Sequence, residues 1–235
     1  MQITPIHTRL FKEREDLPAF IAAHLPSVAE KTVLTVSSKL ICLWKGLSVA
    51  YESRAQKEAL IRRESRAALQ TPLAWLTIKS GMIMTNAGID ESNADGKLLL
   101  LPQDCYACAE ELRAALRQKW NVKQLGVIIT DSMILPLRAG VIGAAVAYAG
   151  FKGVKDLRGT PDIFGKKLSV TLVNAADALA AACALTMGEA AEQRPLCRVE
   201  QAPVEFVDKT DPDEIKYPPE DDLYTPLLKA VGLVK

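Results

Sequence analysis

Two aspartates, Asp90 and Asp131, stand where a carboxylate can do chemistry. Asp90 lies in a loop of sequence NAGIDESN, directly after a segment predicted to be a strand. Asp131 follows the apolar, β-branched run GVIIT and precedes Ser132. Hard cations such as Mg²⁺ and Mn²⁺ prefer carboxylate and other oxygen ligands and often bridge to phosphates. The pattern indicates a metal site, although either acid by itself is more often a turn residue that satisfies backbone groups.

A lone CxxC, Cys105 to Cys108, lies at the start of a predicted helix. A helix start can lower the pKa of a thiol, and a CxxC can be half of a zinc site. However, the chain has no second CxxC, and its only histidines are His7 and His24. Two small apolar residues in one helical turn are therefore the better interpretation.

Two glycine-containing segments resemble nucleotide-binding motifs but do not fit them. Residues 159–167 (GTPDIFGKK) place five residues between the glycines, where a P-loop has four, and no Ser or Thr follows the lysines. Gly140 and Gly143 lack the third glycine of a dinucleotide-binding fingerprint. A nucleotide would have to be bound by a different arrangement.

The charge of the chain is distributed unevenly. The 235 residues carry a formal net charge of +1. Residues 200–222 hold nine acidic and two basic groups, a net of −7, and Lys229 and Lys235 add +2, so residues 1–199 carry +6. The small overall charge argues against a dedicated nucleic-acid binder. A moderately basic body suits anionic small molecules, which makes nucleotides and polycarboxylates the expected partners.

No targeting or membrane segment is recognisable. The first residues lack the pattern of a signal peptide, and the longest uncharged apolar stretch, residues 139–151, is too short to cross a bilayer. Five cysteines, an odd number, do not suggest a disulfide framework. We therefore expect a cytoplasmic protein with no membrane or nucleic-acid partner.

Hydrophobic patterns predict strands and helices without a regular βα alternation, which favours an α+β fold with mixed or antiparallel sheets. A globular body is expected over residues 1–199, with an acidic, proline-rich segment at 200–235 that docks on it. The predicted strands are 31–43 with a break at Ser37-Ser38, 74–78, 81–85, 126–130 and 167–173. The predicted helices are 52–70, 107–120 with Asp104 near its start, and 174–187 with Asn174 as its cap.

Several segments together resemble the coenzyme F420-0:gamma-glutamyl ligase family. The resemblance covers about residues 33–188 and is most specific in two motifs, GMIMTNAGIDESN (81–93) and IITD (128–131). The supporting matches are VSSK at 36–39, RES at 63–65, the apolar run at 98–102, RAG at 138–140, AYAG at 147–150, DLRGTPDIFGKKL at 156–168, and the Ala-rich helix that ends in MGE.

The resemblance implies roles for individual residues. It makes Asp90, Asp131 and Ser132 ligands of Mg²⁺ or Mn²⁺, and it makes Asp90, Asp131 and Arg138 catalytic, with Lys39 or Arg138 on phosphate oxygens. The residues that it places beside the nucleotide are Thr8, Arg9, Leu10, Phe11, Ser38, Lys39, Asn93 and Ser132.

The resemblance also implies a reaction. A nucleoside triphosphate, GTP or alternatively ATP, phosphorylates a carboxylate of the acceptor, and the amine of L-glutamate displaces the phosphate to form an amide. Such chemistry depends mainly on charge neutralisation and positioning, which two carboxylates with a metal ion can supply. The family further implies two intertwined lobes and a homodimer.

Three segments depart from the family pattern. Residues 133–137 (MILPL) are aliphatic where the family has a Gly-Arg pair and a tryptophan, and Trp44-Lys45-Gly46 reverses the charge of an Ala-Glu-Gly. Residues 208–215 (DKTDPDEI) stand roughly where a glycine-rich, nucleotide-contacting loop is expected. These differences leave two alternatives open: a folate or pterin precursor as the acceptor, or a non-catalytic homologue that binds a nucleotide or a protein.

Overall fold

The computed structural model describes residues 1–218 and 221–234. The strands in these ranges are β1 (Gln2–Ile6), β2 (Thr32–Ser37), β3 (Ser48–Ala50), β4 (Ala67–Gln70), β5 (Trp75–Lys79), β6 (Met82–Thr85), β7 (Lys97–Leu99), β8 (Leu125–Met133), β9 (Ile142–Ala149), β10 (Val154–Asp156), β11 (Leu172–Asn174) and β12 (Leu196–Glu200). The α-helices are α1 (Leu17–His24), α2 (Ser38–Trp44), α3 (Arg54–Glu64), α4 (Cys105–Trp120), α5 (Ala175–Met187) and α6 (Thr225–Ala230). A 3₁₀ turn covers Asn86–Gly88.

The largest sheet has the strand order β1-β12-β2-β8-β9. Within it β2 and β8 are parallel, and the other neighbours are antiparallel. Three smaller sheets, β4-β5-β6, β3-β7 and β10-β11, are antiparallel. The predicted α+β class with mixed and antiparallel sheets is confirmed.

Helices cover both faces of the five-stranded sheet. One buried cluster joins β2 and β8 to α1, α2 and α4, and a second joins the opposite face to α5. The approach of α5 is close, because a Cβ on Gly143 of β9 would lie 2.4 Å from Ala184 Cβ and 2.6 Å from the Ala180 carbonyl oxygen. The alanine-rich sequence of α5 thus permits the close packing that a bulkier helix would prevent.

Residues 48–101 form a smaller part of the molecule, called the lobe below. It contains α3, the β4-β5-β6 sheet and the β3-β7 pair. Its own buried cluster is small and includes Ile61, Trp75 and Ile89. Leu99 and Leu101 join the main cluster of the sheet instead, so the lobe packs against the sheet at the side where β7 lies.

Two predicted elements differ from the structure at their second halves. The strand predicted over 31–43 ends at Ser37, and the following residues form α2, because a short apolar run fits a buried helix as well as a strand. The helix predicted over 52–70 ends at Glu64, and 67–70 pair with β5 instead. There, sheet pairing outweighs the helical preference of alanine and leucine.

Two strand boundaries also differ. The strand predicted over 126–130 continues to Met133, so Asp131 lies within β8 and pairs with Ala144. The strand predicted over 167–173 is limited to β11, and Lys167 makes only an isolated bridge to Pro161.

The helix starts agree with the sequence. The Asp104 carboxylate accepts a hydrogen bond from Ala107 N, and Asn174 Oδ1 accepts one from Asp177 N. Such caps satisfy backbone donors that have no partner within the helix. The remaining strands, at 74–78 and 81–85, are confirmed within one residue.

The acidic segment contacts the body through polar anchors. Buried Arg113 donates hydrogen bonds from Nη1 to Asp208 O (3.0 Å) and from Nη2 to Val207 O (3.1 Å). Tyr148 OH donates to Glu214 Oε1 over 2.7 Å. Positions 219, 220 and 235 lie outside the described residues, and the division of the chain at residue 199 stays a prediction.

None of the helices in the described ranges combines the length and the apolar character that crossing a bilayer requires.

Candidate functional site

A cavity of about 310 Å³ lies at the end of β8 where the lobe meets the sheet. Its walls come from the segment after β1, the start of α2, the end of β8 and the connection between α5 and β12. The residues predicted from the sequence that line it are Thr8, Arg9, Leu10, Phe11, Lys39, Asn93, Asp131 and Ser132.

Asp131 is placed by the register of two parallel strands. Ser37, the last residue of β2, pairs with Thr130 of β8, so the residues that follow them, Ser38 and Asp131, are neighbours. Ser38 Oγ donates a hydrogen bond to Asp131 Oδ1 over 3.0 Å. Ser38 therefore reaches the site through Asp131 and is not itself on the cavity wall.

Burial raises the pKa of Asp131 above its ordinary value. The charge of Lys39 and the hydrogen bond from Ser38 act in the opposite direction, and the negative charge of Asp90 adds to the rise. Asp90 comes from a different part of the chain, and Lys39, which lines the cavity together with Asp131, connects to it.

Asp90 is held by the backbone of the lobe. Its N–H donates to Leu99 O (3.1 Å), and Leu99 N donates back to Asp90 O (2.8 Å). Its Oδ1 accepts a hydrogen bond from Ser92 N over 2.7 Å, as in an ordinary aspartate turn. Its Oδ2 does more, because it accepts a hydrogen bond from Lys39 Nζ over 2.5 Å.

Lys39 supplies the positive charge that acts on both acids. Burial acts to raise the pKa of Asp90, but the charge and the hydrogen bond of Lys39 outweigh it and keep that pKa below its ordinary value. The same charge acts on Asp131. Lys39 thus forms an ion pair with Asp90, and its charge also favours the ionised form of Asp131.

The donor chemistry of this group fits a hard divalent cation. Asp90 and Asp131 supply carboxylate oxygens, Ser132 supplies a hydroxyl, and a cationic group already hydrogen-bonds Asp90. No three His, Cys, Asp or Glu side chains within 1–218 and 221–234 cluster closely enough to ligate one ion. An ion here would therefore complete its shell with hydroxyl, phosphate or water oxygens, as Mg²⁺ commonly does.

Sequence reasoning missed the connection between α5 and β12. Residues 188–195 all line the cavity. Ser132 Oγ donates to Glu189 Oε2 over 2.8 Å, and Asn93 Nδ2 donates to Ala190 O over 3.0 Å. The sequence signal was the acid directly after the glycine that ends α5, but only the fold brings it to β8.

Residues 208–215 stand in the sequence roughly where a nucleotide-contacting loop was expected. Those residues contribute no lining to the cavity. They pack against β9 instead, where Thr210 Oγ1 accepts a hydrogen bond from Gly150 N over 2.8 Å. The acidic segment is therefore anchored away from the cavity.

Residues 8–11 form a further wall of the cavity. Thr8 N donates to Gln193 O over 2.9 Å, which ties this segment to the α5–β12 connection. The Arg9 guanidinium pairs with Glu15, and its hydrogen bond lowers the pKa of Glu15 to about 2. Arg194 also lines the cavity, and no hydrogen bond or ion pair of its side chain occurs among the described residues.

Arg138 lies apart from this group. It is exposed in the connection between β8 and β9, where its N–H donates to Leu135 O over 3.3 Å, and it does not line the cavity. Its catalytic role stays a prediction that this placement does not support.

The family model described as F420-0:Gamma-glutamyl ligase matches residues 5–201. This range contains every cavity residue named above. The chain belongs to the F420-0:gamma-glutamyl ligase family. The resemblance found in the sequence is confirmed at this level.

Its relatives include three archaeal proteins, each named coenzyme F420:L-glutamate ligase. The protein of Methanopyrus kandleri is 44% identical over 119 residues, which are 50% of this chain and 47% of the relative. That of Methanococcus maripaludis is 39% identical over 143 residues, or 61% of this chain and 57% of the relative. The chain thus spans about half the length of these two relatives. The protein of Archaeoglobus fulgidus is 34% identical over 204 residues, with 79% and 81% covered.

Proposed function

We propose that the chain is a ligase that joins the amine of L-glutamate to a carboxylate of a small acceptor at the expense of GTP or ATP. The observation that carries the proposal is that Asp131 and Lys39 line one cavity and that Lys39 hydrogen-bonds Asp90, which is not itself a lining residue, in a chain of the gamma-glutamyl ligase family. The names of the relatives make F420-0 the first acceptor to test.

The oxygen donors that would hold Mg²⁺ or Mn²⁺ are Asp90, Asp131, Ser132 and Glu189. A bound ion would neutralise charge on the transferred phosphoryl group. Arg194 would contact nucleotide phosphates; its position on the cavity wall without an ion-pair partner in the described chain supports this role. The Arg9 side chain forms an ion pair with Glu15, so its role would be to shape the cavity wall.

The proposed reaction has two steps. An acceptor carboxylate oxygen attacks the γ-phosphorus, the bond to the β–γ bridging oxygen breaks, and nucleoside diphosphate leaves. The glutamate amine then attacks the acyl carbon, inorganic phosphate leaves, and the amine proton passes to solvent. The cavity walls contribute positioning and exclusion of water, since hydrolysis of the acyl phosphate would waste the nucleotide.

A folate or pterin precursor is the second acceptor to test. Residues 134, 135 and 137, which follow the cavity residue Ser132 by a few positions, are exposed aliphatic side chains. These three side chains offer apolar contact and no charge, so they favour an acceptor with an uncharged body.

The test is a reconstituted reaction. The protein is incubated with Mn²⁺ or Mg²⁺, GTP or ATP, L-glutamate and either F420-0 or dihydropteroate, and nucleoside diphosphate and amide product are measured. We expect release that requires the acceptor and is lost in D131N. Release that ignores the acceptor would contradict the proposal, and nucleotide binding without any turnover would favour the non-catalytic alternative.

We also propose a homodimer. The β8–β9 connection and the arm between β10 and β11 expose large apolar side chains, which are Ile134, Leu135, Leu137, Val141, Ile163 and Phe164. Exposed apolar patches of this kind mark interaction sites. Light scattering should show a dimer that L137D weakens, whereas L73D, a substitution at an equally exposed leucine of the lobe, should leave it intact. A wild-type monomer would contradict the proposal.

A further inference from the structure

Lys39 occupies the position that a cation bound to Asp90 would need. Its Nζ lies 2.5 Å from Asp90 Oδ2, and both side chains are about one-third exposed. Its charge also reaches Asp131. Without Lys39, Asp90 would lose its ion-pair partner, and the negative charges of Asp90 and Asp131 would repel each other with no cation to offset them.

An ammonium group and a divalent cation compete for the same oxygen atoms. Divalent cations contact carboxylate oxygens at about 2.0–2.6 Å, so an ion on Asp90 would stand close to Nζ. Two like charges at such a distance repel strongly outside bulk water. Metal binding at Asp90 therefore requires Lys39 to move away or to gain another anion.

The structure gives Lys39 somewhere to go. Its side chain lines the cavity, and Asp90 is the acceptor of its hydrogen bond. A lysine is a compact charge on a flexible stem and can turn from one anion to another. A nucleotide bound in the cavity would bring phosphate oxygens within its reach.

We propose that Lys39 is an exchangeable counter-ion, which occupies the carboxylates before the nucleotide arrives and moves to its phosphates afterwards. Lys39 then makes metal binding weak without nucleotide and strong with it. Such coupling is reciprocal, so metal also favours nucleotide. The inference rests on the proposed metal and nucleotide site but not on the identity of the acceptor.

The test measures Mn²⁺ binding by electron paramagnetic resonance, without acceptor or glutamate and at one neutral pH. In the absence of nucleotide, K39M should bind Mn²⁺ about tenfold more tightly than the wild type, within the usual range of coupling between sites. K39R, which keeps the charge, should remain near the wild type. The matched control is K45M, because Lys45 makes an equally short pair with Glu111 (2.5 Å) outside the cavity.

A non-hydrolysable GTP analogue completes the cycle. It should strengthen Mn²⁺ binding much more in the wild type than in K39M. Equal gains, or Mn²⁺ binding by K39M that is no tighter than in the wild type or is absent, would overturn the inference. Thermal melting of each variant separates these results from unfolding. Failure of the ligase reaction alone would contradict the proposed function and leave this cycle unaffected.

Discussion

The two aspartates of the site come from parts of the molecule that hold them in different ways. Asp131 lies on β8, whose residues 125–130 are buried between helices on both faces of the sheet. Asp90 lies in the lobe, held by a two-way backbone bridge to Leu99 and by Lys39. The sheet therefore fixes one acid by packing, and the lobe fixes the other by hydrogen bonds and charge.

The environments shift the pKa values of Asp131 and Asp90 in opposite directions. Burial raises the pKa of Asp131, whereas Lys39 keeps the pKa of Asp90 below its ordinary value despite burial. Ionised Asp131 therefore lowers the stability of the folded protein, whereas ionised Asp90 raises it. Each prediction below changes one side of this comparison.

The largest effect is expected on catalysis. D131N and D90N should each lower turnover by about 10²- to 10³-fold, because each removes a charge that the reacting phosphoryl group requires nearby. The fold should persist, since an asparagine oxygen can still accept the hydrogen bonds from Ser38 or Ser92. Acceptor-dependent release of nucleoside diphosphate is the measurement. Wild-type turnover in either variant would remove that acid from the site.

Truncating a buried side chain should destabilise the protein more in the main cluster of the sheet than in the small cluster of the lobe. Ile129 of β8 and Ile61 of α3 are almost fully buried, but Ile129 belongs to the large cluster and Ile61 to the small one. I129A should lower the free energy of unfolding by about 4 kcal/mol and I61A by about 2 kcal/mol, because a small cluster can collapse into the space left behind. Urea unfolding measures both, and a greater cost in the lobe would reverse the comparison.

The same acids should affect stability with opposite signs. The pKa of Asp131 is raised in the folded protein, so ionised Asp131 lowers folding stability. This loss of stability is absent below the unfolded pKa and grows as pH rises through the folded pKa. The pKa of Asp90 is lowered in the folded protein, so ionised Asp90 adds folding stability. This stability is present above the unfolded pKa and is lost as pH falls through the folded pKa. At neutral pH, D131N should therefore stabilise the metal-free protein and D90N should destabilise it by about 1 kcal/mol.

Melting temperatures in the presence of a chelator, recorded from acid to neutral pH, measure this difference. The two variants should converge in acid, where both carboxyls of the wild type are neutral. Shifts of the same sign at neutral pH would show that Lys39 does not distinguish the two acids.

The smallest effect is expected for the CxxC. Cys105 and Cys108 are buried at the start of α4, and burial raises the pKa of Cys105 to about 12. Such thiols are poor nucleophiles, so C108A should leave turnover and Mn²⁺ binding unchanged. Alkylation of the native protein should modify neither cysteine. Activity loss on mild alkylation would show that this helix start takes part in the chemistry.

Features that depend on neighbours in sequence were predictable. The caps at Asp104 and Asn174 and the strand before Asp131 follow from local hydrogen bonds and apolar runs. The short helix α2 was not predicted, because a seven-residue apolar segment satisfies either period. The end of α3 was missed because the pairing of 67–70 with β5 is a tertiary choice.

The candidate site shows the same division. Its motifs were visible in the sequence, and eight predicted residues line the cavity. Glu189 and Arg194 were missed, since they are far in sequence from the other site residues and only the fold brings the α5–β12 connection to the cavity. Arg138 was predicted and lies elsewhere, because its motif fixes a position in the chain but not the direction of an exposed connection.

The sequence by itself determined the α+β class, the family and the two acids, because hydrophobic period, turn chemistry and motif spacing are properties of adjacent residues. Only the tertiary structure decided that Lys39 hydrogen-bonds Asp90, and that Glu189 reaches Ser132. These contacts join residues 51 and 57 positions apart. Their distances are set by the parallel register of β2 and β8 and by the packing of the lobe and α5 against the sheet, and no local pattern encodes them.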